Sequence, residues 1–233
     1  MPRRRAVLFD LDDTLYPLRR FVLSGFRAVA AHVERTRGIE RHRVFAALTH
    51  ASTGPSRGRE LQALAERFDL PEASVRRWVD VIRDHRPVIR LPRHSALALR
   101  RLRVGWRLAI VTNGRPDIQA RKVEALGLAR AVDAVIFANE YGTGRGKPEA
   151  APFLAALERL DVPADRAVFV GDDETCDLVG ASRVGMHTVW YRPGAAPGTS
   201  RFADEVVGSL LTLPRVASAL VGANSIRGMR HVA

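Results

Sequence analysis

Short runs dominated by apolar residues recur along the chain at Ala6–Phe9, Leu108–Val111, Ala134–Phe137, Ala167–Val170 and Thr188–Tyr191. Runs without polar alternation fit strands covered on both faces, as in a parallel sheet. Around and between the later runs, apolar residues return at helical spacing over Ser95–Arg103, Pro116–Leu126, Ala150–Leu160 and Thr175–Val184, each closing on a glycine or near a proline. This rhythm predicts an α/β fold, a doubly wound, Rossmann-like parallel sheet. One interval breaks it. Residues 16–92 carry no strand signal, only amphipathic stretches around Phe21–Thr36, Arg43–Ala51, Arg59–Phe68 and Pro71–Asp84. They are predicted to form an inserted all-helical domain, entered at Pro17 and left through Pro87 and Pro92, with 1–15 and 93–222 as the α/β core. Residues 223–233 read as a short flexible tail.

Composition narrows the function classes. The 233 residues are 46% hydrophobic, which excludes disorder of the whole chain. The length admits a core plus an insertion. No run approaches the roughly 18 apolar residues of a membrane helix, and Arg3–Arg5 precede only a four-residue apolar run. The expectation is a cytoplasmic protein with no membrane partner. A single cysteine, Cys176, excludes an intrachain disulfide framework and a cysteine zinc cage. The net charge is +12, from 37 Lys+Arg against 25 Asp+Glu, yet only Lys122 and Lys147 are lysines and the arginines are scattered. Without a basic cluster interleaved with aromatics, no nucleic-acid partner is expected. The charge favours small anions. Nothing in the pattern speaks to oligomeric state.

Candidate chemistry sits at the ends of the predicted strands. The first run leads into Asp10-Leu-Asp12-Asp13-Thr14, and the fourth into Gly171-Asp172-Asp173-Glu174-Thr-Cys-Asp177. Crowded carboxylates repel one another, and a bound cation allows them to stay ionised together. In an open parallel sheet such strand ends converge at the ligand crevice. Oxygen donors select a hard cation, with Mg²⁺ favoured because it accepts few protein carboxylates and is completed by water and phosphate. Between the clusters lie Thr112-Asn113-Gly114, again ending a strand, and Gly146-Lys147-Pro148 opening a helix. A hydroxyl, backbone amides and an ammonium are donors suited to phosphoryl oxygens. The lysine loop is not a phosphate-binding P-loop, since the glycine and hydroxyl positions of that pattern hold Tyr141 and Pro148.

Taken in order, Asp10-x-Asp12-x-Thr14, Thr112, Lys147 and Gly171-Asp172-x-x-x-x-Asp177 resemble the four motifs of the haloacid dehalogenase-like hydrolase superfamily, over roughly Ala6 to Leu220. The phrases Asp10-Leu-Asp-Asp-Thr-Leu-Tyr-Pro17 and Thr112-Asn-Gly-Arg-Pro-Asp-Ile-Gln119 look most like its nucleotidase and sugar-phosphate phosphatase branch. The resemblance implies a Mg²⁺-dependent phosphomonoester hydrolase acting on a small phosphorylated metabolite, with residues 16–92 as a helical cap that closes over the site. It assigns Asp10 as nucleophile and Asp12 as acid and base. The metal ligands would be Asp10, the Asp12 carbonyl and Asp172, with Asp173 and Asp177 around them. Thr112, Asn113, Gly114 and Lys147 would hold the phosphoryl group. A phosphomutase would share these core residues. A dehalogenase has a halide leaving group and no use for an acid at Asp12, and a silent binding module would not need the full set.

Overall fold

The computed structural model describes residues 4–229 except 197 and 199, and only the backbone of 224–229. The chain divides into two compact units: residues up to Pro17 together with those from Arg90 onward, and Leu18–Ile89.

The first unit is built on six parallel strands: β1 (Ala6–Phe9), β2 (Arg107–Thr112), β3 (Ala134–Phe137), β4 (Ala167–Gly171), β5 (His187–Tyr191) and β6 (Glu205–Val207). Their order is β3-β2-β1-β4-β5-β6. Chain progression runs one way through β1, β2 and β3 and the other way through β4, β5 and β6, so the switch point falls between β1 and β4. Ligand crevices open at such points, beyond the carboxyl ends of the strands. β1 and β4 are buried throughout, as their unbroken apolar sequence requires. The register aligns Phe9 with Ile110 on one side and Val170 on the other. Asp10 and Asp172, which follow β1 and β4, and Thr112, the last residue of β2, therefore gather at the carboxyl ends of the strands.

The helices of this unit are α5 (Arg93–Leu102), α6 (Pro116–Ala125), α7 (Ala150–Leu160), α8 (Val179–Arg183) and α9 (Leu213–Met229). Phe153, Ala156, Leu157 and Leu160 of α7 pack with Phe169 and Ile136 of the sheet, the i, i+3, i+4, i+7 stripe expected of a helix covering strands. The predicted helix over Thr175–Val184 is instead a wide π-turn at Glu174–Leu178 followed by the short α8. β6 and α9 extend the fold beyond the predicted elements. The backbone is helical as far as Met229, into the segment read as a flexible tail, and 230–233 lie outside the described residues.

The second unit holds α1 (Arg19–Arg37), α2 (Arg41–Ala51), α3 (Glu60–Arg67) and α4 (Ser74–Asp84). Phe26, Val29, Ala30 and Val33 of α1 meet Val44, Leu48, Leu64 and Trp78 in its own core. Among the described residues no helix is long and apolar enough to cross a membrane.

Candidate active site

β1 delivers Asp10 into a buried position, where its backbone N–H still donates to Val170 across the switch point, at 2.9 Å. Lys147, from the loop before α7, places Nζ 2.5 Å from Asp10 Oδ1 and 2.6 Å from Asp177 Oδ1. Its side chain is 2% exposed. Burial would lower the Lys147 pKa, but the charges of Asp10 and Asp177 outweigh it and hold that pKa above the usual lysine range. Burial pushes the Asp10 carboxyl upward and Lys147 opposes the shift.

The loop carrying Lys147 is fixed from the end of β2. Asn113 Nδ2 donates to the Lys147 carbonyl at 3.0 Å, and the Lys147 N–H donates to Asn113 Oδ1 at 2.8 Å. The Gly114 N–H donates to Asn139 Oδ1 at 2.7 Å. In this arrangement the side chain of Asn113 and the amide of Gly114, both expected to face substrate, brace the two loops against each other.

The end of β4 supplies the remaining carboxylates. Asp173 caps the π-turn, its Oδ1 accepting from the Thr175 and Cys176 N–H groups at 2.8 and 2.9 Å and from the Thr175 hydroxyl at 2.7 Å. The wide turn carries Asp177 inward over Gly171, where an added Cβ would fall on the Asp177 carboxyl, so only glycine permits the approach. Asp172 accepts from the Thr14 hydroxyl at 3.1 Å, and its carbonyl accepts from Trp190 Nε1 at 2.9 Å. Burial, and then the charge of Asp177, pushes the Asp172 carboxyl up to about 6. Cys176 is half-buried, and burial and the Asp173 charge push its thiol up, which blunts it as a nucleophile.

Among the described residues, carboxylate oxygens of Asp10, Asp172 and Asp177 lie within 4.8 Å of one another. Three carboxylates with one ammonium between two of them leave excess negative charge, and burial followed by the Asp177 charge raises the Asp172 pKa there. An all-oxygen donor set of this kind fits a hard divalent cation. Asp173, with Oδ1 occupied by the cap, stands outside the convergence.

Asp12 faces a different set of groups. Its Oδ1 accepts from the Tyr16 hydroxyl at 2.6 Å, and Lys122 Nζ approaches both oxygens, at 3.0 and 2.7 Å. Gln119 Nε2 donates to Asp12 Oδ2 at 3.1 Å and to Thr112 Oγ1 at 2.6 Å. Burial and the Asp12 charge push the Tyr16 phenol far above its ordinary value, so it remains a donor. Tyr16, Gln119 and Lys122 carry no role in the sequence reading. The available signal was that Lys122 is one of only two lysines in a chain rich in arginine. Beside Asp172, a cavity of about 500 Å³ is lined by Asp13, Thr14, His94, Trp190 and Arg192.

Known proteins resemble this chain in sequence and in fold. Residues 4–185 match the family described as haloacid dehalogenase-like hydrolases. A ribulose-1,5-bisphosphate 5-phosphatase of Halopiger xanaduensis is 31% identical, with 85% of this chain and 89% of that one covered. A phosphoserine phosphatase of Thermus thermophilus is 34% identical over 76% of this chain and 63% of its own length. The crystal structure of a 2-haloacid dehalogenase from Pseudomonas syringae superposes with a TM-score of 0.63 at 27% identity, covering 93% of this chain and 99% of that one. The chain belongs to the haloacid dehalogenase-like hydrolase family. Within it the protein is a phosphatase, a phosphoric monoester hydrolase, with a helical cap region inserted after β1.

Proposed function

We propose that the protein hydrolyses the phosphomonoester of a small metabolite, a nucleoside monophosphate or a sugar phosphate, with Mg²⁺ and through an aspartyl-phosphate on Asp10. The observation that carries this reading is the separation of two carboxylates two residues apart. Asp10 sits against Lys147 within the converging carboxylates, whereas Asp12 is held by Tyr16, Gln119 and Lys122. Two environments for one residue type mean two tasks.

In the first step an Asp10 oxygen attacks phosphorus, the bond from phosphorus to the ester oxygen breaks, and Asp12 gives that oxygen its proton. In the second, water attacks the aspartyl-phosphate, Asp12 takes the water's proton, and orthophosphate leaves with Asp10 restored. Lys147 and the Thr112 hydroxyl hold the transferring oxygens, and Lys147 offsets the charge gathered at Asp10. Mg²⁺, held by Asp10, Asp172 and the Asp12 carbonyl with Asp177 alongside, supplies charge neutralisation when bound. The dehalogenase likeness concerns the fold. A halide departs without a proton, so the presence of a second carboxylate, Asp12, two residues after Asp10 supports ester hydrolysis. The sugar bisphosphate in the archaeal relative's name supports a sugar phosphate as substrate.

The test is hydrolysis of p-nitrophenyl phosphate followed by a panel of phosphomonoesters. Activity should vanish in chelator, return with Mg²⁺ and be lost in Asp10→Asn with the fold intact. Full activity in chelator, or in Asp10→Asn, would overturn the reading.

A further inference from the structure

Helix α6 opens with Pro116 in its first turn and directs one face at the site. Gln119 and Lys122, three residues apart on that face, are 2% and 4% exposed. Burying an amide and an ammonium is costly, and a leucine or methionine would fill either position at less cost if packing alone were required. Their polar atoms meet the two residues that the reaction needs oriented.

Gln119 is the more informative. The atom facing the Asp12 carboxylate must be a donor, which fixes the amide with Nε2 toward Asp12 and Thr112. Its two protons go one to each. Thr112 Oγ1 is thereby an acceptor from Gln119, so the hydroxyl's own proton is turned away from α6. Lys122 and Tyr16 take up other lone pairs of Asp12.

We propose that Gln119 and Lys122 are positioning residues for phosphoryl transfer. Gln119 aims the Thr112 hydroxyl proton at the phosphoryl oxygens, and together the pair hold the Asp12 carboxyl in the orientation that serves the leaving oxygen. The proposal rests on the phosphatase reading above and adds residues to it.

Three variants and two readouts test it. Gln119→Glu keeps the shape of the side chain and replaces two donors by acceptors. It turns the Thr112 proton back toward α6 and repels Asp12. Gln119→Met keeps the volume and removes both bonds, leaving Thr112 free to reorient. Removing an oriented donor costs about 10²–10³ in kcat where it acts on the transition state. Gln119→Glu should therefore lose about 100-fold in kcat, and Gln119→Met roughly tenfold. Isothermal titration of inorganic phosphate with Mg²⁺ should show affinity weakened about tenfold in Gln119→Glu and little changed in Gln119→Met. Lys122→Met should lose more on β-glycerophosphate, a poor leaving group, than on p-nitrophenyl phosphate, the ratio shifting by about tenfold.

Equal losses in the two Gln119 variants with unchanged phosphate affinity would overturn the role of Gln119. An equal loss of Lys122→Met on both esters would reduce Lys122 to a tie between α6 and the β1 loop. If the wild type hydrolyses neither these esters nor any phosphomonoester of the panel, the phosphatase reading fails. The phosphate titration then still decides whether Gln119 orients the anion-binding hydroxyl. If Lys122→Met does not fold, the Gln119 pair decides alone.

Discussion

Asp172 shows how a single carboxylate reports the charge around it. Its oxygen accepts one hydroxyl, from Thr14, while Asp10 and Asp177 converge on it. Burial and Asp177 let it hold its proton up to about pH 6, whereas an unfolded aspartate releases its proton near 4. The folded state therefore binds more protons between those values. The contribution to stability is fully present below about pH 4 and is lost as the pH rises through 6. The metal-free protein should melt at progressively lower temperature from pH 4 to 7. Asp172→Asn retains an acceptor for Thr14 and removes one charge, so it should flatten part of that decline and melt above wild type at pH 7 in chelator. Adding Mg²⁺ at pH 7 should raise the wild-type melting temperature and leave Asp172→Asn nearly unmoved. Identical pH profiles for the two proteins would show that Asp172 is not under this repulsion.

At the scale of elements, β4 and the π-turn after it depend on one missing side chain. Gly171→Ala would drive a methyl group into the Asp177 carboxyl, forcing strand end and turn apart. Overpacking of this kind costs about 1–3 kcal/mol, and the displaced Asp177 should take its contact with Lys147 with it. Urea denaturation and phosphatase rate should both fall. Gly222, exposed in α9 with open space around its Cα, is the contrast. Gly222→Ala should stabilise by about 0.5–1 kcal/mol through helix propensity, with no effect on rate.

The same elements show what the sequence makes legible. β1, β2 and β4 announce themselves because strands covered on both faces need uninterrupted apolar residues. Asp10, Thr112 and Asp172 are legible because they stand at the ends of those runs, where an open parallel sheet gathers its ligand-binding groups. β6 escapes because Glu205–Val207 is three residues long, below any periodic signal. In α9, Val216, Ala217 and Val221 are buried, yet small and polar residues such as Ser218 and Gly222 between them blur the stripe. The π-turn has the composition of a helix start, and its extra width appears only in the backbone bonds that span five residues, from Leu178 back to Asp173 and from Val179 back to Glu174. Gln119 and Lys122 were hidden for a different reason. Polar residues three apart on a helix ordinarily mark a solvated face, and their burial is set by α6 lying against Asp12 and Thr112, a tertiary fact.

For the whole molecule, the distribution of charge has a consequence of its own. Both lysines are buried on carboxylates, Lys122 on Asp12 and Lys147 on Asp10 and Asp177. The net charge of +12 is thus carried by arginines spread along the sequence. A diffuse positive field raises the local concentration of a phosphomonoester dianion without fixing its orientation. Such a field is screened over about 10 Å at 0.1 M salt, whereas contacts inside a buried site are screened far less. With Mg²⁺ saturating, kcat/KM for p-nitrophenyl phosphate should therefore decline several-fold between about 20 mM and 300 mM NaCl, through KM, while kcat stays nearly constant. Choline chloride should give the same slope, because screening depends on ionic strength and not on the identity of the cation. A kcat that falls in step with kcat/KM would place the salt effect in the site, on Lys147 and its carboxylates. A kcat/KM indifferent to salt would mean that the arginine surface plays no part in drawing substrate in.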